Sequence, residues 1–276
     1  MKSRILTGVV GAALVLLVLL ALPPIALNIA MAGLCGIAMY EILHVSHVKH
    51  RGVMVLAILF AASTPFLLLA QTYLVALGVI LLYTVLLAIL QILSHQSLRV
   101  EQTGFVFLTS TLIPVSLSCM AYIRDFSPRH GLFYVFLALV MAWMCDIGAY
   151  FIGTFLGKHK LCPGISPKKT IEGLVGGVVV AVLSSLLAAW LYSLLSPYAG
   201  TFAVHYGQIA LLSLVCALLS VVGDLFASVI KRGCQAKDFG HIMPGHGGIM
   251  DRFDSLLFVA PLLFLVVHVW PLVTAL

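Results

Sequence analysis

The sequence predicts an all-α, polytopic integral membrane protein with about nine transmembrane helices and a cytoplasmic N-terminus. Three observations lead there. Only 9% of the 276 residues are charged and 62% are hydrophobic, with a mean hydropathy of +1.17, whereas soluble domains carry roughly 25% charge. The apolar residues fall into runs of about 20, the length that crosses a bilayer as a helix. The basic residues, finally, gather in alternate connecting segments, as they do when one side of the membrane retains them.

Taken in order, the uncharged run from Ile5 to Tyr40 is too long for one helix and is broken by Pro23 and Pro24, so it reads as spans near 5–22 and 25–43. Lys2 and Arg4 also suit a signal peptide, but the apolar stretch exceeds the roughly 7 to 15 residues such peptides carry, and a retained first helix is expected. Further spans follow near 53–71, 73–93, 104–123, 132–156, 173–195, 207–230 and 252–273. With the N-terminus inside, thirteen of the fifteen Lys and Arg residues lie on the cytoplasmic side. Arg124 and Arg129 alone fall outside, and the opposite orientation would invert that split.

The net charge of +6 is thus a cytoplasmic-face charge, suited to anionic headgroups and phosphates. No basic stripe with interleaved aromatics suggests a nucleic-acid partner. The six cysteines form no CxxC pair and mostly fall within spans, where they read as small packing residues rather than a disulfide framework.

Of the nine acids, only Glu41, Glu101 and Asp125 precede Asp146. Residues 1–130 therefore read as scaffold helices and 131–276 as a catalytic region with two cytoplasmic loops. Glu41 stands out at the inner end of span two, where a structural role is expected. His44, His47 and His50 recur every third residue and would suit metal ligands on one helical face. Their loop position beside Lys49 and Arg51 favours a solvated, headgroup-facing cluster.

The first loop region runs from Asp146 through DIGAYFIGTFLGKHKLCPGISPKKTIEG to Gly173. Gly153, Gly157 and Lys158 do not make a phosphate loop, because the glycine spacing is short and no Ser or Thr follows the lysine. Ala149, Gly153 and Gly157, four apart, suit close helix packing instead. Ser166, Lys168, Lys169 and Thr170 place hydroxyls and charges just before a helix starting around Thr170 to Gly173, a setting that favours an anion. Glu172 needs a cation or a capping partner there.

The second region, SVIKRGCQAKDFGHIMPGHGGIMDRFDS, holds Lys231, Arg232, Lys237, Asp238, His246, Asp251, Arg252 and Asp254. Asp224 precedes Lys231 by seven residues, hence lies roughly 10 Å deeper along span eight. A carboxylate in a span costs on the order of 2.5 to 3.5 kcal/mol and calls for a partner or a metal. Asp251 and Asp254, three apart, share a helix face, and Gly247 and Gly248 allow close approach of a ligand. Were Asp224, Asp251 and Asp254 to converge, a hard cation such as Mg²⁺ would relieve their repulsion, keeping waters and substrate phosphates in its shell. The basic residues would then offset phosphate charge. The plainer alternative is an interhelical ion pair, such as Asp224 with Lys231 or Arg252.

At these residues the chain resembles the phosphatidate cytidylyltransferase (CDP-diacylglycerol synthase) family. The family signature is matched by Ser228, Lys231, Arg232, Lys237, Asp238, Pro244, His246, Gly247, Gly248, Asp251, Arg252 and Asp254. The loop from Asp146 to Gly173 resembles the family's other characteristic segment, and the first five spans agree in general character. Met243 and Phe239 depart from the common pattern without removing a charge. The resemblance implies an integral membrane enzyme, in the bacterial inner membrane with its site facing the cytoplasm, that moves CMP from CTP to phosphatidic acid with release of pyrophosphate. It assigns Asp224 and Asp251 to metal, with Asp254 assisting. It implies that Lys231, Arg232, Lys237 and Arg252 bind phosphates, and that Ser166, Lys168, Lys169 and Thr170 hold nucleotide or lipid phosphate. His246 would shape its turn or donate to a phosphate. Mg²⁺ is the implied cofactor, with room for a second, monovalent cation; CTP, phosphatidic acid and membrane lipid are the implied partners, and the family allows a homodimer.

Three rivals remain at this stage. A paralogue would act on another lipid phosphate. A CTP-dependent lipid kinase would transfer the γ-phosphate instead. An ion-coupled transporter would place acids near the midplane, and Asp146, roughly 18 Å deeper than Lys158 along one helix, fits it best.

Overall fold

The computed structural model describes residues 10–11, 13–67, 69, 73–242 and 247–276, and the chain within them is predominantly helical. Among the described residues six helices are long and apolar enough to cross a membrane: α1 Ile25–Val45, α3 Tyr73–Leu93, α4 Val100–Phe126, α5 Gly131–Leu156, α6 Ile171–Leu195 and α7 Tyr206–Gly233. Five match the expected spans within a few residues at either end, and α3 matches at both ends. The protein is an all-α integral membrane protein, with two short hairpin-like pairings that periodicity did not announce.

Two expected spans are shorter in the structure. The third is α2, Arg51–Ser63, followed by a 3₁₀ turn over Thr64–Phe66 that carries Pro65. The ninth divides into a single turn, α8 (Met250–Phe253), and α9 (Leu256–Val269). At 1.5 Å per residue neither α2 nor α9 alone covers the roughly 30 Å of a hydrocarbon core. The expected first span falls partly outside the described residues; within it, Leu17–Ala21 is π-helical and ends ahead of Pro23 and Pro24.

Two compact units make up the chain. One comprises the described residues of Met1–Asp125 together with Gly233–Phe253, the other Phe126–Arg232 with Asp254–Leu276. In the first unit, polar contacts tie apolar helices together. Asn28 Nδ2 donates to Pro65 O and to Asp125 Oδ2, each at 3.0 Å, Thr64 and Ser118 hydroxyls meet at 2.7 Å, and the Phe60 and Tyr83 rings stack with centroids 4.1 Å apart.

In the second unit, α5 and α6 approach so closely that neither tolerates larger side chains at the contact. A Cβ on Gly177 would stand 2.6 Å from Cys145 O, one on Gly173 2.8 Å from Ala149 O, and one on Gly148 2.7 Å from Val180 Cβ. Small residues on both helices thus let the backbones meet, the usual means of helix association where lipid removes the hydrophobic drive. The Ala149, Gly153 and Gly157 stripe lies at this contact: Gly153 faces Gly173, and Gly157 faces Thr170. Between the two helices, β1 (Lys160–Cys162) and β2 (Ser166–Thr170) pair antiparallel. At the far end of the unit β3 (Phe202–Val204) pairs with β4 (Val273–Ala275). Buried Cys145, Ala181, Ala217 and Val221 knit α5, α6 and α7. All six cysteines are free.

Candidate active site

Thr170 starts α6 as its N-cap, its hydroxyl accepting from Gly173 N at 3.1 Å. That fixes the end of β2 against the helix and sets the direction of Lys169. The Lys169 ammonium lies 2.6 Å from Asp224 Oδ2 on α7. Asp224 is thus paired with the first loop region, through a lysine that the sequence alternative of Lys231 or Arg252 did not include. Ser228, one turn on, donates to Asp224 Oδ1 at 3.4 Å.

Asp254 completes a cluster within the same unit. Only 8% exposed, it has Asp224, Lys231 and Asp146 as charged neighbours, and Ser255 N donates to its Oδ1 at 2.9 Å. Gly223 makes room for this segment, since a Cβ there would sit 2.4 Å from Asp254 O. Asp146 and Lys169 are in turn the charged neighbours of Cys145. Three acids and two lysines from α5, β2, α7 and the start of α9 are thus drawn together. Asp146, which by depth alone suited a transporter, belongs with Asp224 and Asp254.

The turn between α5 and β1 is held by Glu172 on α6. Its carboxylate accepts from Lys158 N at 3.1 Å and His159 N at 3.2 Å, and lies 2.6 Å from His159 Nδ1. This meets the need for a partner noted for Glu172. Arg232, at the end of α7, donates from Nε to Ile165 O at 3.4 Å and so anchors the β1–β2 turn. Ser166 lies half-buried in β2, and Lys168 is exposed.

The remaining signature residues belong to the other unit. Lys237 and Arg252 are exposed, and Asp238 is half-buried. Asp251 Oδ2 accepts from Phe239 N at 2.9 Å and from Gly248 N at 3.0 Å, which closes the loop on itself. Gly247 permits this with a left-handed φ of 84°. His246 lies outside the described residues, as do Pro244 and Met243. Phe239, a departure at sequence level, is a buried anchor with 1% exposure.

The histidine trio does not assemble as a ligand set. His44 stacks on Tyr40, His47 adopts a left-handed φ of 56°, and His50 caps α2, its Nδ1 accepting from Val53 N and its Nε2 meeting Ser94 Oγ at 2.8 Å. Among the described residues no group of three or more His, Cys, Asp or Glu side chains forms a ready-made metal cage. The acid cluster fits a hard cation of another kind. Mg²⁺ takes one or two carboxylates and fills its shell with water and substrate phosphate, and Asp224 and Asp254 supply that donor chemistry.

The family model of the cytidylyltransferase family matches residues 2–270. The chain belongs to this family. It is 37% identical over 273 residues to a phosphatidate cytidylyltransferase of Bacillus subtilis, covering 96% of each chain. It is 35% identical over 264 residues to the Staphylococcus haemolyticus protein of that name, covering 95% of this chain and 97% of the relative. A Staphylococcus aureus phosphatidate cytidylyltransferase is 34% identical with the same coverage.

Proposed function

We propose that the protein transfers CMP from CTP to phosphatidic acid, giving CDP-diacylglycerol and pyrophosphate. The observation that carries this reading is the gathering of Asp146, Asp224 and Asp254 with Lys169 and Lys231 in one unit, in a chain whose family and relatives are cytidylyltransferases. A phosphate oxygen of phosphatidic acid attacks the α-phosphorus of CTP. The bond from that phosphorus to the bridging oxygen breaks, and pyrophosphate leaves with the electron pair. A phosphate nucleophile is already ionised at neutral pH, so the protein's work is positioning and charge neutralisation.

In this reading Lys231, Arg232, Lys237 and Arg252 bind phosphates, and Ser166, Lys168 and Lys169 hold nucleotide or lipid phosphate. Thr170 contributes by fixing the start of α6. Asp224 and Asp251 would hold Mg²⁺ with Asp254 assisting, as the signature implies, and the ion would supply neutralisation of phosphate charge. Asp238 and His246 are assigned to the loop around the substrates, and a second, monovalent cation is part of the same proposal. Nine crossings are the count that the hydropathy of the sequence supports, and six of them correspond to the long helices described above. The distribution of Lys and Arg supports an N-terminus and two loops on the cytoplasmic side, and the membrane in this reading is a bacterial inner membrane. Residues 131–276 form the catalytic region and 1–130 its scaffold, compatible with a homodimer.

The test is product analysis with CTP labelled at the α- or the γ-phosphate. Label from the α-position in the lipid, with γ-label in pyrophosphate, supports cytidylyl transfer. A γ-labelled lipid with CDP released would mean a kinase and overturn it. Competing lipid phosphates in the same assay identify a paralogous substrate.

A further inference from the structure

We infer that Glu41, far from the signature in sequence, is a positioning residue that holds the loop segments 237–242 and 247–252 for catalysis. The role of that loop rests on the reaction proposed above; the way it is held rests on geometry within one unit. Glu41 is 2% exposed near the C-terminal end of α1. Its Oε1 accepts from Ile249 N at 3.0 Å and its Oε2 from Met250 N at 3.1 Å. The loop is pressed onto the carboxylate through two glycines: a Cβ on Gly240 would stand 2.4 Å from Oε1, and one on Gly248 2.4 Å from Oε2. No larger residue fits at either place without moving the acid.

Asp251 braces the same loop from within, through Phe239 N and Gly248 N. The two carboxylates together fix residues 239–240 and 248–251. Lys237 and Asp238 flank one fixed point and Arg252 the other, so groups proposed to meet phosphates are carried on backbone that Glu41 determines. An acid is a costly choice beside a membrane when only two amides need acceptors. It is explained if the loop must be rigid: a carboxylate accepts strongly at both oxygens and donates nothing, and a glutamine would set a donor against one of the two amides.

The test compares wild type with Glu41→Gln and, as a second variant acting on the same contact, Gly248→Ala. Kinetics are measured with CTP and phosphatidic acid, and tryptic cleavage is followed site by site on the folded, detergent-solubilised full chain. Misplacing reactive groups by about an ångström costs on the order of 100-fold, so kcat/KM is expected to fall by about that factor. Cleavage after Lys237 and Arg252 is expected to quicken about tenfold or more, because proteolysis follows the open population of a segment. Cleavage after Lys168, in the other unit, stays at the wild-type rate, and Glu101→Gln at an exposed site changes neither readout. Wild-type kinetics with an equally protected loop would overturn the inference, as would equal acceleration at Lys168, which marks general unfolding. A wild-type protein inactive on these substrates would count against the proposed reaction, while the cleavage pattern would still decide the brace.

Discussion

Lys169 and Asp224 are joined by a 2.6 Å ion pair that links the strand before α6 to the interior of α7. Both side chains keep partial access to solvent, at 22% and 28%. The pair can therefore meet an incoming charged substrate rather than stay sealed. Lys169→Met is expected to lower kcat/KM by roughly 100-fold or more, the scale for losing a positioned electrostatic group, whereas Lys169→Arg retains part of the activity. Steady-state kinetics at varied CTP and phosphatidic acid check this, and a Lys169→Met enzyme with wild-type kinetics would remove Lys169 from the site.

The glycine contact of α5 and α6 makes a prediction about stability. A side chain at Gly177 meets the backbone oxygen of Cys145 and the Cβ of Ala149, neither of which can swing away. Gly177→Val is therefore expected to destabilise the protein by about 1 to 3 kcal/mol, as overpacking does. Gly78 on α3 has nothing within 4 Å of its Cβ position, so Gly78→Ala is expected to be neutral or stabilising by up to about 1 kcal/mol. Thermal unfolding in detergent compares the two.

A pH dependence follows from His130, which precedes α5 and meets Tyr192 Oη at 2.7 Å. Burial, reinforced by Arg129, holds its imidazole below the ordinary value of 6.5. Below that value the unfolded chain takes up a proton that the folded chain resists. The contribution to stability is thus fully present above the unfolded pKa and is lost as pH falls toward the folded one. The unfolding temperature is expected to drop between about pH 7.5 and about pH 5.5, and His130→Gln to flatten part of that slope. An unchanged slope in the variant would assign the effect elsewhere.

The long helices were readable because about 20 apolar residues between charged or proline-bearing segments leave few alternatives in a bilayer. The packing stripe of Gly153 and Gly157 was readable for a similar reason, since small residues four apart have one common use there. The shortening of the third and ninth spans was not, because hydropathy does not record where Pro65 ends a helix or where Asp254 and Ser255 interrupt one. In the site, the acids and bases were legible as types, but their pairing depends on tertiary contacts. Lys169 and Asp224 are 55 residues apart, and nothing local points from one to the other. Glu41 was visible as an unusual acid in an apolar run; its partners are backbone amides beyond residue 240, which carry no residue-type signal at all.

Cytidylyl transfer at the acid and lysine cluster is read out by pyrophosphate release. Purified protein would be given CTP, phosphatidic acid and Mg²⁺, with parallel reactions lacking lipid, lacking Mg²⁺, or using Asp224→Asn and Asp251→Asn. Release that requires both lipid and Mg²⁺ and is lost in both variants is the expected result. Well-folded wild-type protein releasing no pyrophosphate, or variants releasing it at the wild-type rate, would rule out cytidylyl transfer at these residues.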